Sequence, residues 1–276
     1  VIPGATQAII IVMEDLVRFV HISDTHVGPE RGFHLYGVNT YETTVRLIEA
    51  IQELPFAPDF VVHTGDIVAD PRPECYVLAQ EVFRGLAPPI YFVTGNHDRA
   101  EGIRRFLPQG PCEYVTDPNE VLSYRFAYSD FRFLTLDARG PDQIDPQGLL
   151  SAGQLALVRE TCTPEGGPLS IFIHFPPLPL DSEWLNKNML LQNGMDLHRA
   201  VVPARDRLRG VFFGHVHRGM QIMANGILYS SVGSSFRQFT SWPDSLKVEF
   251  DQVHPPCFNV VTLSRSQTTV KEHTIS

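Results

Sequence analysis

Cysteine is scarce in this chain, which has four cysteines in 276 residues and no Cys-x-x-Cys pair. Such wide spacing argues against a disulfide framework and indicates free, mostly buried thiols in a reducing compartment. Long apolar runs are also missing, because no stretch reaches the roughly 18 consecutive apolar residues that a membrane-spanning helix requires. We therefore expect a cytoplasmic protein that has no membrane partner.

An excess of positive charge is absent as well. Lysine and arginine total 22 residues against 31 aspartates and glutamates, and the net charge is −9 at pH 7. Proteins that bind nucleic-acid polymers normally carry a basic surface. We expect a small-molecule substrate instead, and the oligomeric state stays open, with a homo-oligomer among the alternatives.

No linker, internal repeat or low-complexity tract interrupts the chain. Its length and its 43% hydrophobic content suit one large α/β domain or two small ones. We favour a single domain at 13–276 and interpret 1–12, which precede Met13, as an N-terminal extension. The apolar segment at 8–12 is too short for a signal-peptide core and lacks a basic leader.

Runs of β-branched and aromatic residues precede five short polar motifs. Such runs predict buried strands at 18–22, 60–62, 90–93, 169–173 and 211–213. The motifs that follow them are Asp24-Thr25-His26, Gly65-Asp66, Gly95-Asn96-His97-Asp98, His174 and Gly214-His215-Val216-His217. Because polar residues at the carboxyl ends of parallel strands meet, we expect all of these motifs at one edge of one sheet.

Each motif has an ordinary structural interpretation when it is taken alone. Gly-Asp after a strand is most often a turn, and a histidine at a strand end is more often a core or surface residue than a ligand. The five motifs occur together, however, and each follows a predicted strand. Their carboxylates, imidazoles and amide suit borderline metal ions, and the lack of cysteine argues against a thiolate site.

The remaining elements are predicted more coarsely. Helices are expected at 40–54, 73–86, 99–106 and 151–161, and a hairpin is expected from 121–126 and 131–136. After residue 217 we expect antiparallel strands at 227–232, 258–263 and 268–273 that form a second sheet. Three irregular segments, 28–38, 175–195 and 234–257, are expected to surround the active site, since long loops in compact domains are often functional.

Together the five motifs resemble those of the calcineurin-like metallophosphoesterase superfamily, over residues 18–275. The resemblance implies an α/β (α+β) fold, a four-layer αββα sandwich of two mixed sheets flanked by helices, around a dinuclear metal centre. It implies one metal ion held by Asp24, His26, Asp66 and His217. It implies a second ion held by Asp66, Asn96, His174 and His215, so that Asp66 bridges the two.

The chemistry of such a centre accounts for these residue types. Two divalent ions about 3.5–4 Å apart can clamp a phosphate and activate a bridging hydroxide. Asp66 would offset the repulsion between them, and manganese or iron is expected first, with zinc, cobalt or nickel as alternatives. His97 would contact the phosphate or protonate the leaving alkoxide, Asn96 would also touch substrate, and Asp98 would orient His97 or a metal ligand.

Local details narrow the resemblance to one branch. Asp98 stands where the protein phosphatases have glutamate, whereas the segments 174–179, 193–194 and 36–40 resemble class III cyclic-nucleotide phosphodiesterases and bacterial glycerophosphodiesterases. Two positions depart from that branch: Phe175 replaces a common histidine, and Ala69 replaces a carboxylate or amide. The predicted function is hydrolysis of small phosphodiesters, either cyclic nucleotides or glycerophosphodiesters.

Alternatives remain at the level of the sequence. The same centre would also suit a phosphomonoesterase or a nucleotide pyrophosphatase, and a relative that had lost activity would be a protein-binding scaffold. Asn193 is proposed as a substrate contact at the rim, because an amide can donate to a phosphate or ribose oxygen. The competing interpretation is that Asn193 and Gly194 form only a turn.

Overall fold

The structure is a computed structural model that describes residues 16–275, so the proposed extension at 1–12 lies outside the described residues. The strands of this part of the chain are β1 (Val17–Ile22), β2 (His34–Leu35), β3 (Val38–Asn39), β4 (Phe60–His63), β5 (Ile90–Phe92), β6 (Glu113–Tyr114), β7 (Tyr124–Tyr128), β8 (Phe131–Leu136), β9 (Leu169–Ile173), β10 (Leu208–Phe213), β11 (Gln221–Ala224), β12 (Ile227–Ser231), β13 (Cys257–Leu263) and β14 (Thr268–Thr274). The helices are α1 (Thr40–Gln52), α2 (Pro73–Phe83), α3 (Ala100–Phe106), α4 (Ala152–Thr161), α5 (Glu183–Asn188) and α6 (Gly194–Val201).

Two large mixed sheets organise the molecule. The five-stranded sheet has the order β14-β13-β1-β4-β5, and β1, β4 and β5 run parallel within it. The seven-stranded sheet has the order β11-β12-β10-β9-β8-β7-β6, with β8, β9, β10 and β12 parallel. Strands β2 and β3 form a small separate hairpin.

The strand pairing corrects two expectations from the sequence. Strands β13 and β14 do not form a sheet with β12, because β13 pairs with β1 in the five-stranded sheet, where Val17 faces Leu263. The five metal motifs also do not share one sheet. Three follow β1, β4 and β5, and two follow β9 and β10 of the other sheet. Hydrophobic patterning shows which residues are buried but not which strand lies beside which.

Aromatic side chains fill the space between the two sheets. Phe19 and Phe60 project from the five-stranded sheet, and their rings stack with centroids 5.0 Å apart. Phe133, Phe172 and Phe212 project from the seven-stranded sheet, and the Phe212 ring meets that of Phe19 edge-on at 5.3 Å. All five are fully buried. Since aromatic side chains bury large apolar areas, this layer holds the two sheets together.

Helices cover the outer faces of both sheets, which gives the predicted four layers. Apolar side chains of α1, α2 and α3 belong to the core of the five-stranded sheet, and those of α4 and α6 join the outer face of the seven-stranded sheet. Asn39 caps α1 by accepting the backbone N–H of Glu42, and Ser151 with Gln154 forms a capping box on α4. No helix within 16–275 is long and apolar enough to cross a membrane.

Candidate metal centre

The loops that follow the motif strands carry an unusual backbone conformation. Asp24, His26, Asp66, His215 and His217 all have positive φ angles, between 44° and 72°. Residues other than glycine rarely adopt this left-handed backbone conformation, and such strain concentrates at functional sites. The first three residues follow strands of the five-stranded sheet and the two histidines follow β10, so the loops of both sheets converge at one end of the sandwich.

The motif glycines let these loops approach one another closely. A Cβ atom at Gly95 would lie 2.2 Å from the backbone nitrogen and from Oδ1 of Asp66, and one at Gly214 would lie 2.1 Å from Ser23 Oγ. Gly65 has a φ of 103°, and a Cβ there would lie 2.5 Å from His174 Nδ1. At Gly65 glycine is favoured by the left-handed backbone as well as by the close contact. At Gly95 and Gly214 it is favoured because a side chain would collide with the neighbouring loop.

One cluster of ligand atoms is formed by Asp24, His26 and His217, whose candidate atoms lie within 4.8 Å of one another. Nε2 of His26 is 3.1 Å from Nε2 of His217, and the latter is 3.5 Å from Asp24 Oδ1. The three side chains are buried. They are three of the four ligands that the resemblance implies for the first ion.

A second cluster contains Asp66, His174 and His215, again within 4.8 Å of one another. Nε2 of His174 is 3.5 Å from Asp66 Oδ2 and 3.3 Å from Asn96 Oδ1. Asp66 Oδ2 also lies 3.8 Å from His26 Nε2 of the first cluster. Asp66 therefore stands between the two clusters, where a bridging carboxylate belongs.

The chemistry of these side chains fits two divalent ions. Asp24 Oδ1 and both ring nitrogens of His215 are buried and have no hydrogen-bond partner among the described residues. Nδ1 of His174 donates to the Thr64 carbonyl at 2.7 Å, and Nδ1 of His217 donates to the Arg237 carbonyl at 3.0 Å. Each of those rings then turns the lone pair of Nε2 toward its cluster, as metal-binding histidines do.

Burial keeps most of these imidazoles neutral. It lowers the pKa of His217 to about 4 and holds the pKa values of His26 and His215 well below their ordinary value. At His174 burial acts in the same direction, but the carboxylate of Asp66 raises the pKa to about 9. A divalent ion that binds at His174 replaces that proton, so metal binding there releases a proton.

His97 lies beside both clusters. Its backbone N–H donates to Asp66 Oδ1 at 2.9 Å, and its ring Nδ1 donates to the Ala69 carbonyl at 2.8 Å. These contacts leave Nε2 as the ring nitrogen without a backbone partner, and the residue lines a pocket. Asp66 is the main reason that the pKa of His97 is raised. A ring nitrogen of His97 also lies within 4.8 Å of ligand atoms of His26 and Asp66, so metal content has to be measured in any His97 variant.

The Asp98 side chain forms its hydrogen bonds with backbone N–H groups of the neighbouring loops. Its carboxylate accepts from the backbone N–H of Gly95 at 2.9 Å, of Ile67 at 3.1 Å and of Val68 at 3.3 Å. Burial raises its pKa to about 6. Asp98 therefore ties the loop after β4, which carries Asp66, to the loop after β5.

Asn193 is not among the residues that line the pocket in front of the ligand clusters. Its Oδ1 accepts from the backbone N–H of Leu150 at 3.1 Å, and its Nδ2 donates to the Leu150 carbonyl at 2.8 Å. Both ends of the amide are thus engaged with backbone at the start of α6. This arrangement favours the competing interpretation of a structural turn, and the expected substrate contact stays a prediction.

Supporting residues were only partly visible in the sequence. His63 Nε2 donates to Thr25 Oγ1 at 3.0 Å, Thr25 Oγ1 donates to the Ile67 carbonyl at 2.9 Å, and the Gly65 N–H donates to His63 Nδ1. Ser234 Oγ donates to the Asp24 carbonyl at 2.7 Å. Thr25 and Ser234 were missed, and the position of Thr25 between two ligands was the only signal for it.

A pocket of about 200 Å³ opens in front of the two clusters. All three irregular segments predicted to surround the site contribute to it, together with Asp66, Asn96 and His97. The aromatic and long apolar side chains that they supply include Tyr36 from the first segment, Trp184 and Met189 from the second, and Phe236, Phe239 and Phe250 from the third.

Residues 17–219 match the family model described as calcineurin-like phosphoesterase. The chain belongs to the calcineurin-like phosphoesterase family. The resemblance inferred from the motifs is thereby confirmed, and the two clusters, with Asp66 between them, are the candidate ligands for the dinuclear divalent metal centre of this family.

Two curated relatives of this phosphoesterase align over most of their length. The chain is 26% identical to the 3',5'-cyclic adenosine monophosphate phosphodiesterase CpdA of Haemophilus influenzae, over 87% of this chain and 83% of that protein. It is 28% identical to the glycerophosphodiester phosphodiesterase GpdQ of Enterobacter lignolyticus, over 86% of this chain and 84% of the relative. Both relatives are phosphodiesterases by name.

A solved structure supports the fold of this phosphoesterase. The dimetal phosphatase from Danio rerio superposes with a TM-score of 0.61, covering 94% of this chain and 99% of that one. Sequence identity between the two is 15%, so the likeness concerns the arrangement of the sheets and helices only. The four-layer architecture predicted from the motifs is confirmed.

Proposed function

We propose that this phosphoesterase hydrolyses small phosphodiesters, with cyclic nucleotides and glycerophosphodiesters as the substrate classes. The observation that carries the proposal is the pair of adjacent metal-ligand clusters, in which Asp66 of the second cluster lies 3.8 Å from His26 of the first, with residues of both clusters and His97 lining one pocket. The names of the relatives point in the same direction, since both describe enzymes that act on diesters.

The metal ions of the proposal are manganese or iron in the first place, with zinc, cobalt or nickel as alternatives, because imidazole and carboxylate ligands suit these ions. When bound, the pair supplies Lewis-acid charge for the phosphate and a water nucleophile that is available at neutral pH. Asp24, His26, Asp66 and His217 would hold one ion; Asp66, Asn96, His174 and His215 would hold the other.

The side chains around the ions have distinct tasks. Asp66 offsets the repulsion between two cations, and the neutral amide of Asn96 leaves net positive charge to attract a phosphate. His97 donates from Nε2 to a phosphate oxygen or to the leaving alkoxide, while its bond from Nδ1 to Ala69 keeps the ring oriented. Asp98 acts through the backbone that it holds.

Two alternatives are weighed against this function. A phosphomonoesterase or nucleotide pyrophosphatase would use the same ligands, and only kinetics separates it from a diesterase. A protein-binding scaffold would have no need of the assembled ligands, whereas six of the seven ligand side chains lie in the two clusters and Asn96 adjoins them. We also propose a cytoplasmic location, supported by four free cysteines.

The test compares kcat/KM for bis-p-nitrophenyl phosphate and p-nitrophenyl phosphate under saturating manganese. A higher value for the diester is expected, because a dianionic monoester binds the metal pair as a product does. The Asp66→Ala variant measures background hydrolysis. A higher value for the monoester would overturn the diesterase proposal and leave the dinuclear centre in place.

A further inference from the structure

The part of the pocket beyond the metal ligands and His97 is apolar. None of the described residues that line this part of the pocket carries a charge. Four of them are aromatic residues from the segments 175–195 and 234–257, namely Trp184, Phe236, Phe239 and Phe250. Tyr36, from the hairpin of β2 and β3, adds a fifth ring. One side of the site therefore binds metal and phosphate, and the other side presents rings.

Phe239, Phe250 and Tyr36 form a continuous wall, and Trp184 lines the same pocket. Phe239 stacks on the metal ligand His217 with centroids 4.3 Å apart and an interplanar angle of 4°. The Phe250 centroid lies 5.4 Å from that of Phe239, and the Tyr36 centroid lies 4.9 Å from that of Phe250. The wall thus runs from a metal ligand outward to the exposed rim.

Backbone hydrogen bonds fix the loop that supplies most of these rings. The Thr240 N–H donates to the Glu249 carbonyl at 2.8 Å, so that Phe239 and Phe250 face each other across a short antiparallel ladder. The Trp184 N–H donates to the Ser245 carbonyl at 3.2 Å, which ties α5 to the same loop. A wall built in this way is already formed before a ligand arrives, and so less entropy is lost on binding.

The wall discriminates between ester groups by their chemistry. A diester whose phosphate sits on the metal ligands places one ester group against the rings. A glycerol group there would lose hydrogen bonds to water and find few partners, which carries a free-energy cost. A flat apolar ring would instead bury its faces against aromatic side chains, which is favourable.

A choline group is the strongest competing occupant, because aromatic rings also attract quaternary ammonium ions. The charges near the wall oppose it. The guanidinium of Arg237 already lies 5.3 Å from the centroid of Phe250, and Asp66, which is placed between the metal ions, is the only carboxylate among the described lining residues. Glu249 and Asp251, which flank Phe250, are already paired with Lys247 and Arg218. A choline cation would therefore find no unshared carboxylate among the described lining residues.

We propose that this wall makes the enzyme selective for phosphodiesters in which at least one ester group is a flat, uncharged ring, with Trp184 and Phe250 as specificity-determining residues. The inference rests on the proposed diesterase function of the same site. It separates the substrate classes that share the metal chemistry, since aryl or nucleobase-bearing esters fit the wall and polyhydroxyl esters do not.

The experiment uses three diesters of glycerol phosphate, in which the second alcohol is benzyl alcohol, glycerol or choline. These alcohols are similar in acidity as leaving groups, and turnover is followed by phosphorus NMR. The manganese-loaded enzyme is expected to show its highest kcat/KM with the benzyl ester. Trp184→Ala and Phe250→Ala are each expected to lower that value by about 5- to 100-fold, the range for loss of one stacking partner. The value for the glyceryl ester should fall much less than that for the benzyl ester.

Three further variants make the result specific. Trp242→Ala is the matched control, because Trp242 lies in the same loop, is 71% exposed and does not line the pocket. Phe250→Leu keeps an apolar side chain and removes the ring, so benzyl selectivity should fall, and Phe250→Tyr should retain it. Circular dichroism and metal content verify that each variant is folded and loaded.

The outcomes separate this inference from the function on which it rests. Turnover of all three diesters without preference for benzyl, equal losses on all of them in the Trp184 and Phe250 variants, or preference for choline would overturn the inference alone. Absence of turnover with any diester, bis-p-nitrophenyl phosphate included, would overturn the diesterase function and the inference with it.

Discussion

The Asp66 carboxylate lies close to ligand atoms of both clusters. Its Oδ2 lies 3.5 Å from His174 Nε2 and 3.8 Å from His26 Nε2, and its Oδ1 accepts the backbone N–H of His97. Asp24, in contrast, belongs to the first cluster only. The two aspartates should therefore differ in how many ions depend on them.

Replacement of Asp66 by alanine is expected to remove both metal ions, because it removes the shared ligand and exposes each cation to the other. Asp24→Ala should remove one ion and spare the second. Elemental analysis after titration with manganese measures the difference, with about two ions per chain expected in the unaltered protein. If the unaltered protein binds no more than one ion per chain at saturation, the dinuclear assignment is wrong.

His97→Ala is expected to lower kcat by about 10²- to 10⁴-fold, the usual contribution of a general acid, while both ions stay bound. The loss should be smaller for a leaving group of low pKa, which needs less protonation. Kinetics with aryl and alkyl diesters, together with metal analysis, tests both statements. Full activity, or loss of an ion, would show that the role assigned to His97 is wrong.

At the scale of elements, the site depends on strand ends brought close enough to share ligands. The loops after β1, β4 and β10 carry candidate ligands with positive φ. Thr25 ties the loop after β1 to the loop after β4, Asp98 ties the loop after β5 to the loop after β4, and the His215 N–H donates to Asp24 across the two sheets. Gly95 stands where the loop after β5 touches the one after β4. A single methyl group at Gly95 should displace Asp66 and so weaken metal binding.

Gly95→Ala is expected to destabilise the fold by about 1–3 kcal/mol, as overpacking usually does, and to weaken metal binding. The new Cβ would collide with the backbone and Oδ1 of Asp66. Gly32→Ala is the matched control, because a Cβ at Gly32 meets nothing within 4 Å. Denaturant unfolding and metal titration compare the variants; equal behaviour of the two would refute the steric argument.

At the scale of the whole molecule, the metal centre joins two sheets that otherwise meet through aromatic packing. Asp24, His26, Asp66 and Asn96 come from loops of the five-stranded sheet, whereas His174, His215 and His217 come from loops of the seven-stranded sheet. Ions bound among them link the halves of the sandwich. Metal binding should consequently stabilise the fold as a whole and not only the loops.

Chelation of the metals is expected to lower the thermal midpoint by several degrees. A ligand that binds only the folded state contributes about 2.7 kcal/mol at a free concentration about 100 times its Kd. Calorimetry with and without EDTA, followed by manganese addition, measures the shift. The Asp66→Ala variant should show no such response, and a response equal to that of the unaltered protein would place the stabilising ions elsewhere.

Much of the site could be predicted from the sequence because the ligands are short motifs at the ends of apolar runs. The assignment of seven ligands stays a prediction that the family resemblance implies. The five motifs at strand ends, His97 as a pocket residue and the three rim segments followed from residue type, order and that resemblance. Asn193 did not: an Asn-Gly pair suits a rim contact and a turn equally, and only its two hydrogen bonds to Leu150 distinguish them. Thr25 was marked only by its place between Asp24 and His26, and Ser234 carried no pattern at all.

The sequence by itself determined the strands, the motif order and hence the family, since local periodicity and ligand chemistry are properties of neighbouring residues. Which sheet each strand joins was decided only by the tertiary structure. Strand β13 begins at Cys257, far along the chain from the end of β1 at Ile22, and yet pairs with β1. Strands β9 and β10 bring their histidines from the opposite sheet. Such pairings depend on long-range burial of both sheet faces, which a one-dimensional pattern does not encode.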